Sequence, residues 1–343
     1  MLLHLLSSMN TWSIRLFGFS CLFSLAMNTG NEHQYLNYDR YNLGLWFKQQ
    51  QKENQPSSIC RMKSEIGAQS EKINCLVEKF HFKLIAKPIK IAVVDTGIDV
   101  THPYLRGYVS LEGVSTTNTH YLIDQSGHGT HVAGIIISRL EELFDQAKVV
   151  APIEIISVKY IEYSSDSAVL TRSMLSLARH TSDLTAINIS ASGFGRDQYE
   201  KEIFNYWSNL AIPIFVAAGN NALKLDRKHE VFPCSYRFKN VTCVGNIQED
   251  FSLASTSNFG DPVRVYDFGT RILSTAPGGG VQFMTGTSQA SPRALASFVF
   301  LKLTNTSEEK VIEINQKFTR AISSQGHDLL VINVPLSTAI TSF

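Results

Sequence analysis

The sequence predicts an α/β fold in which a mostly parallel central sheet carries helices on both faces, and three observations lead there. Short β-rich apolar runs recur at residues 89–94, 153–160, 184–189, 212–217 and 241–244. They are apolar on both faces, as strands covered from each side must be. Helical stretches separate them, which is the alternation of a parallel sheet with crossover helices. A chain of 343 residues, 44% hydrophobic and 18% charged, also has enough apolar surface to close a substantial core.

Taken in chain order, the first element is a leader. Arg15 followed by the apolar run 16–26 has the basic flank and short core of a secretory signal peptide. The run is too short to span a bilayer. Ser24-Leu25-Ala26 places small residues for cleavage after Ala26, so residues 1–26 are expected to be removed. Met9 opens a more compact leader, and the lack of an amphipathic period argues against a buried N-terminal helix. Export to a secreted or periplasmic location follows. Residues 27–87 are polar and include a Gln-rich tract at 49–58, which reads as a flexible loop or linker. This segment is an N-terminal extension or a propeptide, ahead of one large domain at 88–343.

Within that domain, Val132, Ile136, Leu140, Leu143 and Phe144 fall at helical spacing with charged residues between them. A second helix is expected to begin near Ser288, with Pro292 in its first turn, and to continue through Ala294 to Leu301. No internal repeat is present. Cleavage of the leader removes Cys21 and leaves Cys60, Cys75, Cys234 and Cys243. An even number suits an oxidising compartment. Of the three possible connectivities, the one made of two local bonds, Cys60 with Cys75 and Cys234 with Cys243, is favoured; free buried thiols are the alternative. No Cys/His array has zinc-site spacing, so no metal site is expected. Thirty-one Lys and Arg against thirty Asp and Glu give no field that would draw nucleic acid or an anionic membrane.

Four short motifs carry the chemistry. Residues 90–99 form a buried strand that ends in Asp95 and a glycine turn, at the strand end where α/β proteins place their sites. His128 lies between two glycines just before the first amphipathic helix, where it can approach a nucleophile and an orienting carboxylate. His131, one turn on, reads as helix packing. Asn220 ends a buried strand at Ala218-Gly219-Asn220 and is either a turn residue or an amide donor for an oxyanion. Ser288, in Gly286-Thr287-Ser288, opens a helix whose dipole and backbone N–H groups favour an oxyanion. Each motif alone has an ordinary structural explanation; all four together do not.

In the order Asp, His, Asn, Ser, with these flanking residues, the chain resembles the subtilisin-like serine proteases, or subtilases. The order excludes trypsin-like and lipase-like arrangements. Secondary matches run through most of residues 89–334, including the closing segment 326–334. The resemblance implies the three-layer subtilisin-like fold and a serine endopeptidase with Asp95, His128 and Ser288 as its triad and Asn220 in the oxyanion hole. It implies polypeptide substrates, bound as an added strand along Ser190, Ala191, Ser192 and Gly193, with Val231 near the wall of the specificity pocket. No cofactor is implied, a monomer is the expected state, and no stable membrane association follows removal of the leader.

Several departures from the family pattern stand out. His102-Pro103-Tyr104-Leu105 has Tyr104 where a calcium-ligating aspartate is frequent, and the segment 139–148 is charged where a calcium loop is usual. Calcium at that site is therefore expected to be absent. Gln289 stands where methionine is frequent, Arg293 replaces a common histidine, and Asp267-Phe268-Gly269 stands where Ala-Pro-Gly is usual. Two rival functions share the fold: a catalytically silent binding protein, and a peptide ligase or cyclase in which an amine intercepts the acyl-enzyme. Asn240 and Asn305 lie in glycosylation sequons.

Overall fold

The computed structural model describes residues 68–161, 167–178 and 183–304. The leader, the Gln-rich tract, Cys60, Asn305 and the closing segment 326–334 lie outside the described residues. Five α-helices are described: α1 Ala68–Phe80, α2 His128–Ala147, α3 Ser167–Leu177, α4 Gln198–Asn209 and α5 Thr287–Leu303. The strands are β1 Lys83–Leu84, β2 Ile89–Asp95, β3 Val109–Ser115, β4 Val149–Val150, β5 Ile153–Lys159, β6 Leu184–Ile189 and β7 Ile214–Ala217. After them come β8 Lys224–Leu225, β9 Val241–Ile247, β10 Phe259–Gly260, β11 Val263–Phe268, β12 Ile272–Ala276 and β13 Gly280–Met284.

Seven strands form the central sheet in the order β11-β9-β7-β6-β2-β5-β3, and every neighbouring pair is parallel. β2 shows why its sequence is an unbroken apolar run. Ile89, Ile91 and Val93 point into a core shared with Val132, Ile136 and Leu140 of α2 and Ala290 and Ala294 of α5. Ala92 and Val94 point the other way, against Leu170 and Met174 of α3 and Phe204 and Trp207 of α4. Successive strand side chains alternate in direction, so burial on both faces needs helices on both faces. Each fully buried Ile or Leu in these layers contributes about 1.5–3 kcal/mol.

Two helix expectations are modified. The helix after Gly129 begins at His128 itself, with Gly127 as its N-cap at φ 82°, a left-handed conformation that favours glycine. Pro292 is the sixth residue of α5 rather than a first-turn residue. Its missing N–H frees the Ser288 carbonyl four residues earlier, and that oxygen accepts a hydrogen bond from Ser190 Oγ at 2.8 Å. A side chain on β6's C-terminal end thus replaces the lost helical bond.

α1 and β1 belong to the segment read as an extension, and they pack on the sheet's N-terminal edge. Gln69 Nε2 donates to the carbonyls of Gly107 and Ile153, and its Oε1 accepts from Ile153 N–H at 2.9 Å. Lys72 pairs with Glu141 of α2. Leu76, Phe82 and Val150 close a small satellite core there.

Candidate active site

The C-terminal ends of three adjacent strands, β2, β6 and β7, lead into Asp95, Ser190 and Asn220, while His128 and Ser288 stand in the first turns of α2 and α5. β2 is where the strand order reverses: the chain builds β5 and β3 on one side of it and β6, β7, β9 and β11 on the other. Ligand crevices of open α/β sheets form at such a switch point.

Asp95 is the last residue of β2, and its side chain is 3% exposed. Its Oδ1 accepts from Thr96 N–H at 2.8 Å and pairs with His128 Nδ1 at 2.7 Å. With Nδ1 donating to the carboxylate, Nε2 is the nitrogen left to take a proton. The His128 ring is 27% exposed. Burial alone would lower its pKa, but the Asp95 charge, the Asp95 hydrogen bond and the charge of Asp124 outweigh burial and hold it above the ordinary histidine value. The glycine after His128 serves the backbone rather than the ring: a Cβ on Gly129 would meet Gly97 O at 2.1 Å. His131 is fully buried, and its Nε2 lies 3.1 Å from the carbonyl oxygens of Ile272 and Gln282. Burial pushes its pKa down to about 4, so it is a neutral packing residue, as expected.

Ser288 is the second residue of α5, and its Oγ donates to Ser190 O at 3.1 Å. Among the described residues it makes no hydrogen bond to His128. Such bonds are often long or misaligned before substrate arrives. Asn220 lies just beyond β7, where its Oδ1 accepts from Thr287 N–H at 2.9 Å. Because that N–H requires an acceptor, the amide's NH2 end is the one left to donate. The first N–H groups of a helix have no intrahelical acceptor. Asn220 takes that of Thr287, and the Ser288 N–H has no acceptor among the described residues.

The segment 190–193 divides by role. Ser190 is buried and clasps Ser288 twice, through its carbonyl and through its hydroxyl. Gly193 exchanges both backbone hydrogen bonds with Phe232, each at 2.8 Å, so its main chain is already paired. Ala191 and Ser192 lie between and are half-buried. Val231 is buried beside this bridge. Cys234 and Cys243 form the expected disulfide, tying the turn that follows Phe232 to β9. Cys75 is also disulfide-bonded, and its expected partner Cys60 lies outside the described residues.

Sequence comparison gives this geometry a lineage. The model of the subtilase family matches residues 86–322. This chain belongs to the subtilase family. Its relatives include a thermophilic serine proteinase of Bacillus sp. (strain AK1), 29% identical over 69% of this chain and 58% of that protein. Subtilisin-like protease 5 of Arthroderma otae is 30% identical over 69% of this chain and 58% of that protein. The subtilase described here thus spans less than two thirds of the length of these curated relatives. Among solved structures it is similar to a cold-adapted subtilisin-like serine proteinase, with a TM-score of 0.57 and 22% identity, over 72% of this chain and 89% of that one. A lanthipeptide protease is similar at a TM-score of 0.54 and 22% identity, over 67% of this chain and 80% of that one. Both likenesses bear on the fold, which is subtilisin-like.

The departures of this subtilase have structural partners. Tyr104 is buried, and its hydroxyl bonds Glu141 Oε2 at 3.0 Å. The position therefore serves α2 and does not fit a calcium ligand set, and no group of three or more potential metal-ligating side chains is gathered among the described residues. Asp267 and Arg293 compensate one another, with Arg293 Nε 3.0 Å from Asp267 Oδ1 and the guanidinium 5.7 Å over the Phe268 ring. Gln289 Nε2 lies 3.7 Å from Met284 Sδ, so a thioether remains beside the neighbour of Ser288. Asp124, one residue that motif reading passed over, accepts hydrogen bonds from Thr96 and from Ser126, Gly127 and Thr130, residues on either side of His128. An acidic residue just ahead of a predicted helix N-terminus was the available signal.

Proposed function

We propose that this subtilase is an exported serine endopeptidase with Asp95, His128 and Ser288 as its triad. The Asp95–His128 hydrogen bond carries this reading, because it leaves Nε2 free to act as a base at the end of β2, next to β6, whose C-terminal end holds Ser288 through Ser190. In the proposed cycle Nε2 takes the Ser288 proton as Oγ attacks the scissile carbonyl, while Asp95 holds the tautomer and stabilises the imidazolium. The oxyanion receives hydrogen bonds from the Asn220 amide and the Ser288 N–H. The imidazolium then protonates the departing amine, and water repeats the sequence in reverse to release the acyl group. Polypeptide would lie as an extra strand along Ala191 and Ser192, whose main chains are not engaged by Phe232. The leader-like sequence at residues 1–26, the even number of cysteines that its removal would leave and the Cys234–Cys243 bridge support export. Among the described residues no helix is long and apolar enough to cross a membrane.

Incubation of the matured protein with a peptide library, read by mass spectrometry, tests this. Products heavier than the parent by one water in sum, absent with Ser288→Ala, are expected. Joined or cyclised products of unchanged total mass would point to a ligase, and intact peptides to a binding protein.

A further inference from the structure

Asp124 has no place in the motifs that mark the site, and its surroundings give it one. The carboxylate is 6% exposed. Its Oδ1 accepts from Thr96 Oγ1 at 2.8 Å, Ser126 N–H at 3.1 Å and Gly127 N–H at 2.8 Å. Its Oδ2 accepts from Thr130 N–H at 2.8 Å and Thr130 Oγ1 at 2.6 Å. Both hydroxyls are committed on their other side. Thr96 Oγ1 accepts from Gly129 N–H and Thr130 Oγ1 from Asp99 N–H, each at 2.9 Å. Each hydroxyl must therefore give its proton to Asp124, which acts throughout as an acceptor, as an ionised carboxylate does.

His128 consequently sits among N–H groups, those of Gly127, Gly129 and Thr130, all tied to Asp124 directly or through Thr96. Thr96 reaches the other partner too: its own N–H donates to Asp95 Oδ1, the oxygen that holds His128. One buried carboxylate thus fixes the first turn of α2 and the strand end of β2 against each other.

We propose that Asp124 is a positioning residue for the reaction: through Thr96 and the first turn of α2 it sets the His128 ring against Asp95, and its charge favours the imidazolium formed when Ser288 gives up its proton. This rests on the triad reading above. The other charged and titratable groups around the pair are Asp95 and Asp99 from the β2 end and its loop, with His102 beyond. His131 faces it from α2, and Lys159 from β5, where Nζ donates to Ile123 O at 2.7 Å. His131 is neutral and Asp99 is engaged with Thr101 and Gly278. Asp124 is the second negative charge that raises the His128 pKa, after Asp95.

A helix cap that serves stability alone would leave the histidine's titration unmoved. NMR titration of His128 in a Ser288→Ala background, with and without Asp124→Asn, separates the two. The positioning role predicts a downward shift of roughly half a pH unit or more. In the Ser288-containing enzyme, Asp124→Asn is expected to lower kcat roughly tenfold to a hundredfold, with KM within about twofold and the acid limb displaced the same way. Thr96→Val keeps the charge but cuts the relay to Gly129, and should lower kcat with a smaller displacement of the limb; Thr96→Ser should recover most of that loss. A folded Asp124→Asn protein with unaltered titration and kcat would overturn the proposal, as would an unaltered kcat in Thr96→Val if Asp124→Asn does not fold. Absence of Ser288-dependent hydrolysis in the parent would defeat the triad reading and the catalytic half of this proposal with it. An active parent with an indifferent Asp124 defeats this proposal alone.

Discussion

The environment of His128 favours its charged form. Asp95 at 2.7 Å from Nδ1 raises the histidine pKa against the opposing effect of burial, so activity that needs neutral Nε2 should fall away with decreasing pH at a value above the ordinary histidine pKa. Asp95→Asn is expected to move this acid limb downward and to reduce kcat by about 10⁴-fold; a pH profile of kcat/KM with both proteins checks it. Linkage has a related consequence. A pKa raised on folding stabilises the fold fully below the unfolded-state value, and the gain disappears as pH rises through the folded-state value. Asn220→Ala is expected to lower kcat by about 10²–10³, the size seen when subtilisin loses its oxyanion amide. The four motif residues were legible because each lies where a buried strand or a helix begins or ends, a boundary written in Gly, Thr and apolar runs. Asp124 was less legible: its bonds to Ser126, Gly127 and Thr130 are local to the helix start, but its link to the end of β2 runs through Thr96, 28 residues away, which only the fold brings near.

Elements were legible in proportion to how completely they are buried. β2, β5 and β6 are buried almost throughout, so their side chains are apolar on both faces and their runs appear directly in the sequence. β3 is an edge strand, with Leu111 77% exposed, and its mixed residues carry no comparable signal. α1 went unread within a polar segment because its tie to the sheet is made by Gln69 and Lys72 rather than by a wide apolar stripe. α5 was read, but Pro292 was misplaced within it, because the Ser190 hydroxyl that substitutes for the missing bond lies far away in sequence.

Two predictions belong to these elements. In the first turn of α4, burial and the neighbouring Asp197 push the Glu200 pKa up to about 7. The unfolded chain ionises this residue from its ordinary value upward while the folded one keeps its proton, so stability falls as pH rises between the two. Glu200→Gln should therefore lessen the loss of stability between pH ~5 and pH ~8 by roughly 1–3 kcal/mol, as read from urea midpoints. On β11 and α5, Arg293→Met leaves the Asp267 carboxylate buried without its partner and should cost about 3–5 kcal/mol. The double change Asp267→Leu with Arg293→Met should recover most of this, and thermal unfolding of the three proteins decides it.

At the scale of the molecule, a parallel sheet with helices on each face brings three distant segments to one edge, and the small loop-closing links act around that arrangement. The Cys234–Cys243 bridge closes a short loop, so removing it alone by a Cys234→Ala, Cys243→Ala double change should lower stability by about 2–3 kcal/mol, read from urea midpoints. Tyr104 bonded to Glu141 leaves the family's calcium position without its carboxylate, and chelation of calcium is expected to leave the melting temperature unchanged; a sharp fall would reveal a calcium site elsewhere.

Every consequence for catalysis depends on Ser288 Oγ being deprotonated by the ring that Asp95 holds. The most direct measurement is the rate of labelling by a fluorophosphonate, followed by intact mass on the matured protein. One adduct on the unaltered chain, none on Ser288→Ala and a rate reduced by orders of magnitude on His128→Ala are the predicted results. Labelling at equal rates with and without His128, or no labelling of the folded protein, would contradict the account.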